Sequence, residues 1–169
     1  MLVRSVAAIL DRDLRTLSRE VKAYRDEGQL WQTVPGMANA GGTLVLHLAG
    51  NLRHFIGARL GGTGYVRDRA AEFSRRDVSV EDLLQEIEVA RAEVARTLSR
   101  LDDGSLPEVF PEVITDMRVD TGEYLIHLLT HFAYHLGQID VHRRIVTGDV
   151  SSVGAVKPAE LGSASPARS

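Results

Sequence analysis

The chain of 169 residues contains no cysteine. Disulfides, thiolate zinc sites, iron–sulfur clusters and a cysteine nucleophile are excluded, and any metal must be held by histidine, carboxylate, carbonyl or water. Long apolar runs are missing too. No stretch approaches the ~20 residues that a membrane-spanning helix needs. At the start, residues 1–11 carry only a short apolar run broken by Arg4, unlike a signal peptide, so a cytoplasmic protein is expected. No block of like charge reaches five residues and the net charge is −3. Neither nucleic acid nor an anionic membrane is an expected partner. Three catalytic signatures are also absent. There is no Glu-x-x-His pair of the di-iron bundles, because Glu123 and His127 stand at the wrong interval. There is no His-Glu-x-x-His of metalloproteases and no nucleophile elbow.

What is present suits one compact helical domain, since 44% of the residues are apolar. Val6, Ile9, Leu10, Leu14, Leu17, Val21 and Tyr24 recur at three and four, predicting a first helix over 4–26 that Gly28 stops. Leu30 and Trp31 read as a plug over the bundle end. Residues 39–60 form a second helix, entered through Gly41 and Gly42. Each glycine costs about 1 kcal/mol against alanine, a cost tolerated where another backbone comes close. Residues 62–78 read as a polar loop anchored by Tyr65 and Phe73. Ser79 caps a third helix whose stripe runs from Val80 to Leu101. Residues 105–119 read as an extended connector with a short strand, and a fourth helix runs from Asp120 or Thr121 to Gly148. The expected architecture is all-α: one four-helix bundle domain over 1–148 and a tail over 149–169. A tail rich in Ser, Ala, Gly and Pro is ordinarily loose, so a neighbouring subunit is a candidate to hold it.

The chemistry concentrates in the fourth helix. Four of the six histidines fall within residues 127–142, at spacings of four, four and seven. Each helical residue turns the chain by about 100°, so His127, His131, His135, Gln138 and His142 share a stripe about 80° wide. Tyr124 precedes them by one turn. In the second helix, Leu44, His47, Asn51 and His54 lie on one side. His47 is near the middle of its helix, where a core side chain meets His131 and His135. Three neutral imidazoles on rigid helices would hold a divalent ion and leave positions open for water or substrate. Zn²⁺ or Ni²⁺ suits such donors best, ahead of Fe²⁺ or Mn²⁺. The competing reading is that these are core histidines donating to backbone carbonyls.

His47-Leu48-Ala49-Gly50-Asn51-Leu52, followed by His131-x3-His135-x-Gly137-Gln138-Ile139, resembles the DinB/YfiT-like superfamily of metal-binding four-helix bundles. The resemblance spans residues 5 to 147. It implies an up-down-down-up bundle, usually dimeric, with a divalent metal on His47, His131 and His135. It also implies thiol chemistry: members transfer bacillithiol, mycothiol or glutathione to electrophiles, or isomerise maleylpyruvate with mycothiol. An open metal site can bind a thiol as thiolate, and a chain without cysteine would borrow that thiol as a cosubstrate.

Around the triad, Gln138 and His127 are candidates to fix imidazole tautomers, and Asn51 to orient water or substrate. His54 and His142 are expected partly exposed at the bundle ends, and Tyr124 and Tyr134 in core or interface packing. No carboxylate falls on the stripe, which disfavours hydrolysis more than thiol transfer. Arg53, Arg59, Arg67 and Arg69 are candidates for a cleft binding a charged thiol. Ile126, Thr130, Ala133 and Gly137 form a small, apolar outer face on the fourth helix, predicting a homodimer or cover by the N-terminal segment. Two functions stand side by side: a metal-dependent thiol transferase, and a non-catalytic metal or small-ligand binding module acting as a sensor or sequestering protein.

Overall fold

The structure, a computed structural model, describes residues 1–166. It is helical, with no strand among the described residues. Helix α1 spans Leu2–Lys22, and Val3, Val6, Leu10, Leu14, Leu17 and Val21 make its buried stripe. It stops four residues before its expected end. The reason is Asp26, whose side chain accepts from Gln29 N and caps a separate short helix α2, Glu27–Trp31. Gly28 lies inside α2 rather than terminating α1. Leu30 and Trp31 are buried as the plug reading requires.

Helix α3, Gly41–Leu52, is buried at every residue because α2, α4, α5 and α6 all pack on it. Its entry glycines make room for side chains, not for backbone. A Cβ at Gly42 would lie 2.7 Å from the Trp31 ring, and one at Gly41 would meet the Tyr24 hydroxyl. Beyond Leu52 the helix continues as a wider π-helix over Arg53–Leu60, with Gly61 N donating to Ile56 O. Such widened turns are frequent beside functional sites.

The loop over 62–78 contains an unexpected helix, α4, Arg69–Ser74, capped by Asp68. Only one of its residues, Glu72, is buried, so it shows no apolar stripe. Helix α5, Val80–Leu98, begins at the expected Ser79 cap, whose hydroxyl accepts from Asp82 N. The connector to the last helix contains isolated bridges, Val109 with Asp120 and Ile114 with Met117, and no strand. Helix α6, Thr121–Thr147, ends at Gly148, whose φ of 68° closes the helix in the left-handed conformation.

Helix α1 packs on α5 and α6, and α3 packs on the same two. His142, expected at a partly exposed bundle end, is fully buried. Its Nδ1 accepts from the Tyr24 hydroxyl at 2.8 Å and its Nε2–H donates to Gln32 O at 2.9 Å. Beside it, Arg143 and Glu20 form an ion pair whose side chains are both without solvent contact. Arg143 also donates to the carbonyls of Asp149 and Ser151. Arg19 donates to Gly154 O and pairs with Glu160. The described part of the tail is therefore tied to its own chain.

No helix among the described residues is long and apolar enough to cross a membrane.

Candidate metal centre

Helices α3 and α6 bring His47, His131 and His135 together. One ring nitrogen from each lies within 4.8 Å of the others. The His47 and His131 Nε2 atoms are 3.3 Å apart. The His131 and His135 rings meet edge to face at 4.6 Å, and His47 lies 5.3 Å from His135. His47 is buried, while the two α6 histidines are half-buried, so the cluster sits at a flank of the bundle and not in its sealed centre.

The far nitrogens decide what the near ones offer. His47 Nδ1–H donates to Glu72 Oε2 at 3.0 Å, and His135 Nδ1–H donates to Gln138 Oε1 at 2.7 Å. With the proton fixed on Nδ1, each Nε2 carries a free lone pair facing the cluster. His131 Nδ1 is buried without a hydrogen-bond partner. Burial, followed by the neighbouring His135 and His47, pushes His131 down to about 4, and burial also lowers His135. Both rings are therefore neutral at physiological pH. Three imidazoles whose ring nitrogens converge are the donor set that a borderline divalent ion requires.

Glu72 is the residue that stripe reasoning missed. It comes from α4, in a stretch that reads as loop, so no periodicity connects it to His47. Arg67 grips it with two hydrogen bonds, Nε to Oε1 at 2.6 Å and Nη2 to Oε2 at 2.7 Å. Burial alone would raise the Glu72 carboxyl, but the bonds from Arg67 and His47 prevail and hold it below its ordinary range. One sequence signal did exist. Gly50 stands one turn after His47, and a Cβ there would lie 2.2 Å from Glu72 Oε1. A glycine inside a buried helix marked a space that some other side chain enters.

The remaining candidates separate. Gln138 accepts from His135 Nδ1–H. Asn51 is buried, and its Oδ1 has no hydrogen-bond partner among the described residues. His127 is exposed and stacked on Tyr124 with ring centres 5.5 Å apart; no side-chain hydrogen bond ties it to the triad among the described residues. His54, half-buried, pairs with Glu112 at 2.9 Å. Tyr124 is buried, and its hydroxyl is pushed up to about 12 by that burial. Tyr134 points outward, 66% exposed, and is not part of the core. Of the four arginines only Arg67 reaches the site. Arg53 pairs with Glu86 and lies over the Tyr65 ring, Arg59 pairs with Glu112, and Arg69 lies over Phe73.

A groove of about 470 Å³ lies beside Gln138, and none of the three histidines lines it among the described residues. Residues 36–39 form one wall, Tyr134, Gly137 and Val141 the other, with Leu44 and Gln138 between them. Gln138 thus belongs both to the groove and to His135. No charged side chain lines this space among the described residues.

With this geometry in place, comparison with known families is informative. The family model described as mycothiol-S-transferase matches residues 5–148. The chain belongs to the mycothiol-S-transferase family. That family falls within the DinB/YfiT-like superfamily, in agreement with the resemblance read from the histidine motifs. No curated protein and no solved structure matches the chain. What the family supports is thiol S-transfer as a class, and what the cluster supports is a capacity to hold a metal ion.

Proposed function

We propose that this protein is a metal-dependent S-transferase that conjugates mycothiol to an uncharged electrophile, with His47, His131 and His135 as the metal ligands. The observation that carries the reading is the convergence of three imidazoles whose outward nitrogens on His47 and His135 are already engaged by Glu72 and Gln138. Zn²⁺ or Ni²⁺ is the ion this donor set prefers. A bound divalent ion would keep a thiol ionised at neutral pH. The chain's own residues do the rest. His47 and His135 present fixed tautomers, and Gln138 links His135 to the groove. The thiol's proton passes to solvent, its sulfur forms a bond to the electrophilic carbon, and the leaving group departs with the bonding pair.

The groove favours mycothiol over the other two thiols. Bacillithiol and glutathione carry carboxylates, which ordinarily demand arginine or lysine. Here the lining offers Asn39, Gln138 and Tyr134 among apolar walls, and Arg67 is committed to Glu72. A hydroxyl-rich thiol without carboxylates suits those groups. The four long helices α1, α3, α5 and α6 form the up-down-down-up bundle of residues 1–148. The contacts of α1 and α3 with both α5 and α6 support that arrangement. Ile126, Thr130, Ala133 and Gly137 lie open on α6, and the N-terminal segment does not cover them; we assign this face to a homodimer. A cytoplasmic location follows from dependence on an intracellular thiol.

The test begins with metal content by plasma mass spectrometry, on purified untagged protein and on His135→Ala. About one divalent ion per chain, lost in the variant, is expected. The loaded enzyme is then given mycothiol, bacillithiol or glutathione with a model electrophile. Conjugation with mycothiol well above the other two is the expected result. A protein that refuses Zn²⁺ and Ni²⁺ overturns the metal centre; metal without conjugation leaves the binding-module function instead.

A further inference from the structure

The three imidazoles of the cluster are not equivalent. His47 hydrogen-bonds a carboxylate, His135 a neutral amide, and His131 Nδ1 nothing. A hydrogen-bonded carboxylate draws the Nδ1 proton and makes the opposite nitrogen a stronger donor; an amide does so less, and no partner not at all. The carboxylate is also the best secured of these groups. Glu72 is 6% exposed and receives three hydrogen bonds, two from Arg67 and one from His47. Gly50 vacates the volume it occupies. Phe73, the next residue on α4, places its ring 4.9 Å from that of His47 and closes another side of it. Glu72 bonds the nitrogen opposite Nε2, so it acts through His47 and does not itself approach the cluster centre.

We propose that Glu72, clamped by Arg67, is a positioning residue that makes His47 the anchoring ligand of the metal centre. The short helix α4 exists in this account to deliver one carboxylate to one imidazole. Arg67 has a defined part: it supplies a positive charge beside Glu72, so the carboxylate polarises His47 without setting a net negative charge beside the ion. The inference rests on the reading of the histidine cluster as a metal site.

The experiment is a Co²⁺ titration of the full chain, followed by visible absorption, for the parent, Glu72→Gln and Glu72→Asp. Competition with a chelator of known affinity gives the dissociation constant, and circular dichroism establishes that each protein is folded. Glu72→Gln keeps an acceptor but loses the charge; Glu72→Asp keeps the charge but falls short of His47. Each is expected to weaken Co²⁺ binding by roughly 10–100-fold and to shift the ligand-field bands. Glu112→Gln, which touches His54 and Arg59 instead of the triad, is expected to bind as the parent does. A purely structural ion pair would lower the melting temperature and leave affinity and spectrum unchanged in the folded protein. If the parent binds Co²⁺ and either folded Glu72 variant binds it equally well with the same bands, the proposal fails while the metal centre stands. If the parent binds no ion, the metal centre itself is lost and this inference with it. Should Glu72→Gln not fold, Glu72→Asp decides by the same criterion.

Discussion

Two glycine-to-alanine substitutions in helices of this protein are expected to change stability in opposite directions. Within its own protomer, an added Cβ at Gly137 meets nothing within 4 Å among the described residues. Alanine there gains only helix propensity, about 1 kcal/mol. At Gly50 the same propensity gain applies, but the Cβ would stand 2.2 Å from Glu72 Oε1 and 2.9 Å from its Cδ. The carboxylate has to withdraw. It holds two hydrogen bonds from Arg67 and one from His47, in a setting where Glu72 is 6% exposed. Hydrogen bonds to charged groups contribute about 1.5–3 kcal/mol each. If Glu72 and Arg67 move out as a pair, only the His47 bond is lost and the net cost is about 0.5–2 kcal/mol. If one Arg67 bond breaks as well, the net cost reaches about 2–5 kcal/mol. Both cases give the same sign. Urea unfolding of the metal-free protein, with both variants at the parent's m value, reads the difference directly as a shift of midpoint. Gly50→Ala should unfold earlier than the parent and Gly137→Ala later. A Gly50→Ala protein at or above parental stability would refute the claim that Glu72 fills the space this glycine leaves.

Other outcomes follow from the same structure. Arg143→Met removes the partner of the solvent-free Glu20 and releases the Asp149 and Ser151 carbonyls. A loss of about 3–5 kcal/mol in urea unfolding is expected; a loss below 1 kcal/mol would show that the pair is not sealed. Burial holds His142 below the ordinary histidine range in the folded protein. The unfolded chain therefore binds the extra proton first. Its contribution to stability is complete above about pH 6.5 and is lost as the pH falls below that value. The difference in unfolding free energy between pH 7 and pH 5 should be larger for the parent than for His142→Gln, and equal differences would contradict a buried neutral imidazole. Ala38→Trp adds a ring to the groove wall formed by residues 36–39. The KM for mycothiol should rise several-fold with metal content unchanged; an unaltered KM would remove the thiol from this groove.

Much of the site was legible because its elements are long and periodic. The His47 turn and the His131 and His135 pair lie on helices whose inward faces follow from spacing alone, and Gln138 falls on the same stripe one turn on. What escaped was delivered by short elements. Helix α4 has six residues, one of them buried, so it has no apolar stripe to read. Asp26 started α2 where Gly28 had read as a helix stop, because a cap and a terminator use overlapping residue types. His142 looked like an end-of-bundle histidine, since nothing in its spacing reveals that Tyr24 and Gln32 close over it.

The three glycines of α3 show what such a sequence does record. Gly41, Gly42 and Gly50 mark places where Tyr24, Trp31 and Glu72 enter the helix surface. Each of those partners comes from a different part of the chain, so the glycine tells where a side chain arrives but not which one. At Gly41 and Gly42 the arriving groups are an aromatic hydroxyl and an indole, and the result is packing. At Gly50 it is a charged carboxylate, beside an imidazole that faces two others. A buried carboxylate is costly unless paired, and here the pairing groups are Arg67 and His47. Plain packing would be served as well by an apolar side chain in that space. The combination of cost, clamp and vacancy at one residue therefore ties α4 to the chemistry of the histidine cluster and not merely to the stability of the bundle.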